Sequence, residues 1–361
     1  MNKSEKKRTL CVGLEHFIDK IGYQSDIYKK NGEKIRYLVE DTSGSSLYYA
    51  NKYNADVVIL KRNVVLRFIQ TLWEIFLYRP TAIEIYLSNL PKFWDRLLAP
   101  LSKILRIRLI LFLRGQEFRS RYRRNRLKVL YPSLDIIIAK EMNLIMNACQ
   151  MGFLPKLRFL HNCIPINDSR IPDYLERKID ILFFNSPRKE RNVIFLVDVL
   201  FKLLKIHKLK LNIVMAGFNV LDDNGYKIET SYQNKVLDKI QDLGLDSNIR
   251  ILGFVNNGKE LFMQSKVFIF PANVVFCNYS LLEAMSFGCV PIVADGEGSY
   301  WIVNDANGYV SKLDIDCFTN AIVDALNISN WQPRSNNAIL TVKKHFSIED
   351  WYESLEKIKN V

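Results

Sequence analysis

The chain alternates between short apolar runs and longer segments whose apolar positions recur at helical spacing. Runs such as Ala55–Leu60 and Asp135–Ala139 are apolar on both faces, which is typical of parallel strands covered by helices on each side. Other runs of this kind are Thr9–Gly13, Lys34–Val39, Ala82–Leu87, Arg108–Leu113, Ile179–Phe184, Leu211–Ala216, Ile249–Leu252, Val267–Phe270 and Val290–Ala294. The pattern therefore predicts an α/β fold built on parallel sheets.

Segments of helical period separate these runs and predict the helices. They lie at Phe17–Lys30, Asn63–Tyr78, Phe93–Leu105, Val193–Leu204, Thr230–Leu243, Lys259–Gln264, Ser280–Ser286, Ile315–Leu326 and Ser347–Ile358, with one more ending at Met151. Between Cys163 and Lys178 the alternation stops, and prolines lie among Asn, Asp and Ser, which indicates a linker.

This interruption predicts two Rossmann-like domains. We expect the first domain at residues 1–165, the linker at 166–178 and the second domain at 179–344. The remaining residues, 345–361, are expected to form a C-terminal helix that packs back toward the first domain.

The composition is that of an ordinary globular protein. The 361 residues are 48% hydrophobic and 25% charged, with only 15 glycines and 11 prolines, which excludes disordered and collagen-like chains. Six cysteines without a CxxC pair and four scattered histidines argue against a disulfide scaffold and a metal site. We find neither a signal peptide nor ~18–20 uninterrupted apolar residues, so we expect a cytoplasmic protein.

The basic charge is concentrated in one half of the chain. Residues 1–170 carry 30 Lys+Arg and 15 Asp+Glu, a net charge of +15, whereas residues 171–361 carry 21 and 23, a net charge of −2. Such one-sided charge suggests a polyanionic partner, namely anionic lipid, nucleic acid or a phosphorylated substrate. No recognised nucleic-acid motif accompanies it, and no G-x-G-x-x-G follows a first strand as in dinucleotide-dependent dehydrogenases.

The densest basic run comprises Arg114, Arg119, Arg121, Arg123, Arg124, Arg126 and Lys128. Its spacing does not form a clean helical face, which predicts a solvated loop. The alternative is adsorption to anionic lipid, together with the apolar helix at Asn63–Tyr78.

The second half carries a recognisable motif. Leu281–Ala294 reads LLEAMSFGCVPIVA, and Asn248–Val255 reads NIRILGFV. With Met215–Gly217 and His345–Glu349, these segments resemble the group 1 retaining glycosyltransferases of the GT-B fold, in the right order over nearly all of 179–361. The resemblance implies two Rossmann-like domains whose parallel sheets face a central cleft. It also implies that the first domain binds the acceptor and the second binds a nucleotide diphosphate-sugar donor.

The resemblance implies roles for residues at a helix start. Glu283 would accept hydrogen bonds from the ribose hydroxyls, and backbone amides at the helix start would face the diphosphate. The residues of that helix start are Cys277, Asn278, Tyr279, Ser280 and Leu281. The alternatives are a capping box, Ser280-x-x-Glu283, and an ordinary helix start that binds nothing.

The resemblance also implies a cation for the leaving group. Arg191 matches the family's lysine, and Asn185-Ser186 matches its Gly-Arg. Arg191 would neutralise the diphosphate as the sugar leaves, beside Gly217 and Val255 of the donor site. The alternative is a solvated charge run at a helix start.

Two expected donor-site residues are replaced. Val275 stands where the family has the first glutamate of its E-x7-E motif, and Ser186 stands where it has arginine. Either the donor sugar is held differently, or the chain is a catalytically inactive GT-B scaffold or binding subunit.

Further residues of the cleft are expected at Gly13, His16, Arg114 and Gly115, for which ordinary loop positions are the alternative.

These features lead to an expected function. The resemblance implies a retaining, metal-independent glycosyltransferase without a cofactor, and no protein nucleophile is assigned. Its acceptor is expected to be a lipid-linked or surface-polysaccharide precursor at the cytoplasmic membrane face. We expect no nucleic-acid partner.

Overall fold

The chain forms two compact units of similar size. The first contains the described residues up to His161 together with those from Ile348 onward, and the second contains the described residues from Asn162 to Ser347. The structure, a computed structural model, describes residues 7–41, 45–86, 94–114, 118, 120–166, 169–218, 230–255 and 257–360. Leu87, Phe93, Gly115 and Arg119 of the predicted features lie outside these residues.

The first unit is built on a sheet of seven parallel strands. Their order is β3-β2-β1-β4-β5-β6-β7. The strands are β1 (Arg8–Leu14), β2 (Lys34–Val39), β3 (Asp56–Ile59), β4 (Ala82–Ile85), β5 (Arg108–Phe112), β6 (Ile136–Ala139) and β7 (Leu157–Phe159). The short strand β7 was not predicted.

Helices follow the strands in turn. They are α1 (Asp19–Lys30), α2 (Ser45–Lys52), α3 (Val64–Tyr78), α4 (Trp94–Leu105), α5 (Arg121–Leu130) and α6 (Met142–Gln150). The expectation of a loop in the basic run is wrong, because most of that run is α5. The Ser120 side chain accepts a hydrogen bond from the Arg123 N–H and caps the helix, while Leu127 and Leu130 are buried under it.

The second unit is built on six parallel strands. Their order is β10-β9-β8-β11-β12-β13, with β8 and β11 in the centre. The strands are β8 (Ile179–Phe184), β9 (Ile213–Ala216), β10 (Ile249–Leu252), β11 (Ser265–Phe270), β12 (Val290–Ala294) and β13 (Tyr309–Ser311). Side chains that alternate along β8 enter two cores, with Phe183 in one and Leu182 in the other. This explains why the predicted strands are apolar on both faces.

Helices cover both faces of this sheet. They are α7 (Val193–Phe201), α8 (Thr230–Asp242), α9 (Lys259–Gln264), α10 (Tyr279–Ser286), α11 (Ile315–Ala325) and α12 (Ile328–His345). Helix α12 was not predicted, since Pro333 interrupts its sequence and its apolar positions are few. The last helix, α13 (Ile348–Lys359), belongs to the first unit.

The end of the proposed linker is fastened to the second unit. Arg177 is buried, and its guanidinium donates hydrogen bonds to the carbonyls of Pro172, Phe262, Ser265 and Phe287.

In the described part of the chain, no helix is long and apolar enough to cross a membrane.

Candidate functional site

Several predicted donor residues lie along one edge of the six-stranded sheet. Asn185 and Ser186 directly follow β8, Gly217 follows β9, and the loop that leads into α10 follows β11. Because the strands are parallel, their carboxyl ends meet at the same edge, which is where open α/β sheets bind ligands. Val255 lies three residues beyond β10, at the same end of the sheet, and is partly exposed.

Gly217 lets two of these strand ends approach closely. Its φ is +102°, and a Cβ atom there would lie 2.6 Å from the backbone carbonyl carbon and oxygen of Asn185. Its N–H donates to the Gly253 carbonyl at 3.0 Å. Only glycine combines this conformation with this contact, so Gly217 sets the path of the Asn185-Ser186 backbone.

Arg191 places a cation beside Ser186. Its Nη1 atom donates to both the carbonyl oxygen and the Oγ of Ser186, each at 2.6 Å. Burial, and secondarily the like charge of Arg188, lower the pKa of Arg191 to about 10, so the guanidinium stays protonated at neutral pH. Within the described residues, no carboxylate forms an ion pair with it.

Asn192 joins the Arg191 segment to the loop after β11. It adopts a left-handed conformation with φ 50°. Its Nδ2 donates to the Pro271 carbonyl at 2.8 Å and to the Asn273 Oδ1 at 2.7 Å. The Asn273 N–H in turn donates to the Glu190 carbonyl at 3.0 Å. Neither asparagine was predicted from the sequence, although Asn is among the few residues that favour the left-handed region before a helix.

The start of α10 differs from the capping-box alternative. Asn278 is the N-cap, and its side chain accepts from the Leu281 N–H at 3.2 Å. Ser280 is the second residue of the helix, so the capping-box interpretation of Ser280 and Glu283 is wrong. Glu283 lies in the second turn and is partly exposed. An α-helix start offers N–H groups and a positive dipole end to an anion.

Cys277 turns the chain into α10. It is buried in a left-handed conformation with φ 52°, and its carbonyl accepts from the Asn162 Nδ2 at 2.8 Å. Tyr279 follows the N-cap as the first residue of the helix. The backbone here is held from both sides, which fixes the direction of the helix start.

Val275 points into the core. It is wholly buried among the apolar residues on one face of the sheet, and its N–H donates to the Glu297 carbonyl at 3.0 Å. The same carbonyl accepts from the Phe276 N–H at 3.2 Å. The side chain at position 275 therefore offers no hydrogen-bond acceptor to a ligand. Glu297, which was not predicted from the sequence, holds this loop through its backbone.

The other predicted residues lie in the first unit, at strand ends. Gly13 has φ 82° where the β1–β2 register shifts, which explains the glycine. The His16 Nδ1 lies 3.8 Å from the Asp41 Oδ1. The Arg114 guanidinium carbon lies 5.6 Å from the ring centroid of Tyr86. Gly115 is outside the described residues.

No group of three His, Cys, Asp or Glu side chains in the described ranges is arranged to hold a metal ion.

The second unit matches a known family. The family described as Glycosyl transferases group 1 matches residues 167–339. A Staphylococcus aureus capsular polysaccharide biosynthesis glycosyltransferase, CapH, is 25% identical over 183 residues, which are 49% of this chain and 49% of CapH. An Escherichia coli UDP-Gal:alpha-D-GlcNAc-diphosphoundecaprenol alpha-1,3-galactosyltransferase is 32% identical over 120 residues, 31% of each chain. The chain thus matches half or less of the length of these relatives.

The fold is also that of solved glycosyltransferases. Anabaena Alr3699/HepE, solved in complex with UDP-glucose, has a TM-score of 0.80 at 14% identity, over 99% of this chain and 100% of that chain. The expected fold class is confirmed by these two parallel-sheet units and this likeness. Residues 167–339 therefore match the group 1 glycosyltransferase family, and the two Rossmann-like units have the GT-B fold of the solved glycosyltransferases.

Proposed function

We propose that the chain is a glycosyltransferase that binds a nucleotide diphosphate-sugar at the carboxyl edge of its six-stranded sheet. The observation that carries the proposal is the Arg191 guanidinium, held 2.6 Å from Ser186 Oγ at the end of β8. The Asn192 side chain joins the loops that follow the two central strands, β8 and β11, next to this guanidinium. A partly buried cation at this edge suits a diphosphate, because charge develops there as the sugar–phosphate bond breaks.

The other donor contacts are proposed from the resemblance, and the geometry at the sheet edge supports them. Glu283 accepts hydrogen bonds from the two ribose hydroxyls, since a carboxylate is acceptor-only and suits adjacent hydroxyls. The N–H groups at the start of α10 and its dipole share the diphosphate charge with Arg191. The close approach of Gly217 and Asn185 sets the path of the backbone at this edge of the sheet.

The replacement of the family arginine by Ser186 does not remove the positive charge. Arg191 donates directly to Ser186 Oγ, so its guanidinium occupies space beside the shortened side chain. Arg188 is near enough to lower the pKa of Arg191, which places a second cation in the same loop. These two arginines would supply the charge that the resemblance assigns to an arginine and a lysine.

We further propose a retaining reaction without a metal ion or cofactor. The new bond would form on the face from which the nucleotide leaves, and we assign no protein nucleophile. The acceptor would be a lipid-linked or surface-polysaccharide precursor, bound by the first unit near Gly13, His16 and Arg114. The two curated relatives, named for capsular polysaccharide and for a diphosphoundecaprenol-linked acceptor, support this class.

Turnover tests the role of Arg191. The purified chain is incubated with UDP-sugars and diphosphoundecaprenol-linked N-acetylglucosamine, and released UDP is measured with and without EDTA. We expect Arg191→Met to lower kcat/KM by about 100-fold, the usual loss of one transition-state donor. Arg250→Met, at an exposed position on β10, is the matched control and should leave kcat/KM unchanged. Unchanged turnover in Arg191→Met would contradict the proposal.

The alternative is a binding subunit without transfer activity. It is favoured by the burial of Val275, which leaves no acid at that position for the donor sugar. Nucleotide binding that depends on Glu283, without product from any sugar nucleotide and acceptor pair tested, would support this alternative.

A further inference from the structure

Helix α3 turns an apolar face toward solvent. Its Thr71, Ile75 and Tyr78 side chains are buried against the first unit. The opposite side presents a continuous stripe of large apolar residues, each 53% to 62% exposed: Val65, Leu66, Ile69, Trp73, Phe76 and Leu77. A 15-residue helix is about 22 Å long, so the stripe is larger than the scattered apolar residues normal on a protein surface.

The charges around this stripe are positive. Lys61 and Arg62 are exposed just before the helix, and Arg79 is exposed just after it. The single acid of α3, Glu74, is shielded and pairs with Arg36 at 2.8 Å. The stripe therefore has cations at both ends and no unneutralised acid of its own helix.

Neighbouring helices extend the positive charge. Helices α3, α4, α5 and α6 bury side chains in the same core, so they cover one side of the seven-stranded sheet. Together their sequences contain eight basic residues and two acidic ones. Five of the basic residues are in α5, which has no acid.

We propose that α3 is the docking face for an anionic lipid bilayer. The helix would lie in the plane of the interface, with the Trp73 stripe at the boundary of the acyl chains and the flanking arginines at the headgroups. This proposal does not depend on the transferase activity. It explains why one helix is apolar on nearly all sides and yet is exposed.

A second copy of the chain suits the same face less well. In a two-fold dimer the same patch meets itself, so the cations at the ends of α3 and on α5 would approach their own copies. Neither helix presents free acids to neutralise them. Anionic headgroups supply the opposite charge that a second copy lacks.

Vesicle co-sedimentation of the whole chain tests the proposal. Vesicles of equal parts phosphatidylglycerol and phosphatidylcholine are compared with pure phosphatidylcholine vesicles, at low and high salt. We expect binding to the anionic vesicles that weakens with salt, and a loss of at least about tenfold in Leu66→Glu/Trp73→Glu. The matched control is Leu340→Glu, at an equally exposed leucine on α12 of the second unit.

The outcomes are distinguishable. Absence of binding to anionic vesicles, or equal loss in Leu340→Glu, would overturn the proposal. A dimer in solution that the double α3 variant dissolves, with no vesicle binding, would assign the face to a second copy instead. Unchanged nucleotide binding by the double variant would show that its loss of vesicle binding is separate from the donor site.

Discussion

Backbone conformations that few residues tolerate shape the edge where we propose that the donor binds. Gly217 permits the close approach of two strand ends, and Asn192 links two loops from a left-handed conformation. Arg191 then lies beside Ser186 because its own segment is fixed by these neighbours. The charged groups of the site are therefore positioned by residues that carry no charge.

Replacement of Gly217 tests whether this close approach of the two strand ends stabilises the fold. Gly217→Ala places a methyl group 2.6 Å from the Asn185 backbone at φ +102°. We expect a loss of about 2 kcal/mol or more in the free energy of unfolding, measured by urea denaturation. Gly244→Ala is the matched control, because it also has a positive φ, +59°, but nothing within 4 Å of its Cβ position. Equal losses in the two variants would contradict the role given to the close contact.

Single residues also show what the sequence does and does not predict about the site. Motif spacing singles out Glu283 and Arg191, and their roles in donor binding stay predictions. It did not predict the cap by Asn278, because Ser280 is as good a capping residue in isolation and only the three-dimensional turn selects between them. The sequence also did not predict that the Val275 side chain points into the core, because residue type alone does not show which way a loop side chain points.

At the scale of elements, the C-terminal helix is locked to the first unit by a buried polar network. Glu84 of β4 is buried and accepts from the Tyr28 hydroxyl of α1. The Lys359 Nζ of α13 lies 3.2 Å from the Glu84 carboxylate and 3.1 Å from the Tyr28 oxygen. Burial, and then the Glu84 charge, raise the pKa of Tyr28 well above its usual value, so its hydroxyl remains a donor. Tyr352 adds a hydrogen bond to Glu33 at 2.7 Å.

Removal of the lysine should destabilise the first unit. Lys359→Met leaves the buried Glu84 carboxylate without its cation, so we expect a loss of about 3 kcal/mol in the free energy of unfolding. Lys357→Met, at an exposed position of the same helix, should change it by less than about 0.5 kcal/mol. Urea denaturation of both variants measures the difference, and a loss no larger than that of the control would show that the ion pair is dispensable.

Element prediction worked where one physical signal dominated. Strands that bury side chains on both faces, such as Ile179–Phe184 and Val290–Ala294, have the predicted bounds. Helices α2, α5 and α12 were missed because their apolar period is weak or interrupted. Side-chain caps from Ser120 and Asn327 stabilise the starts of α5 and α12. The sequence did not predict the ion pair between Glu84 of β4 and Lys359, because the two residues lie far apart along the chain.

At the scale of the whole molecule, the two units differ in their chemistry. The half of the chain that forms most of the first unit has a net charge of +15, and the other half has −2. The exposed apolar stripe of α3 belongs to the basic unit, and the matched family region belongs to the other. These differences support our proposals that the first unit contacts the membrane and the acceptor and that the second unit binds the donor.

Nucleotide binding tests the central claim most directly. Thermal unfolding is measured with UDP, GDP, CDP, ADP and TDP for the natural chain, for Glu283→Ala and for Glu260→Ala, an exposed acid on α9. One nucleotide at about 100 times its Kd should stabilise the natural chain by ~2.7 kcal/mol. We expect this stabilisation to be lost in Glu283→Ala and retained in Glu260→Ala. Stabilisation by none of the five nucleotides, or an equal shift in Glu283→Ala, would contradict a donor site at this edge of the sheet.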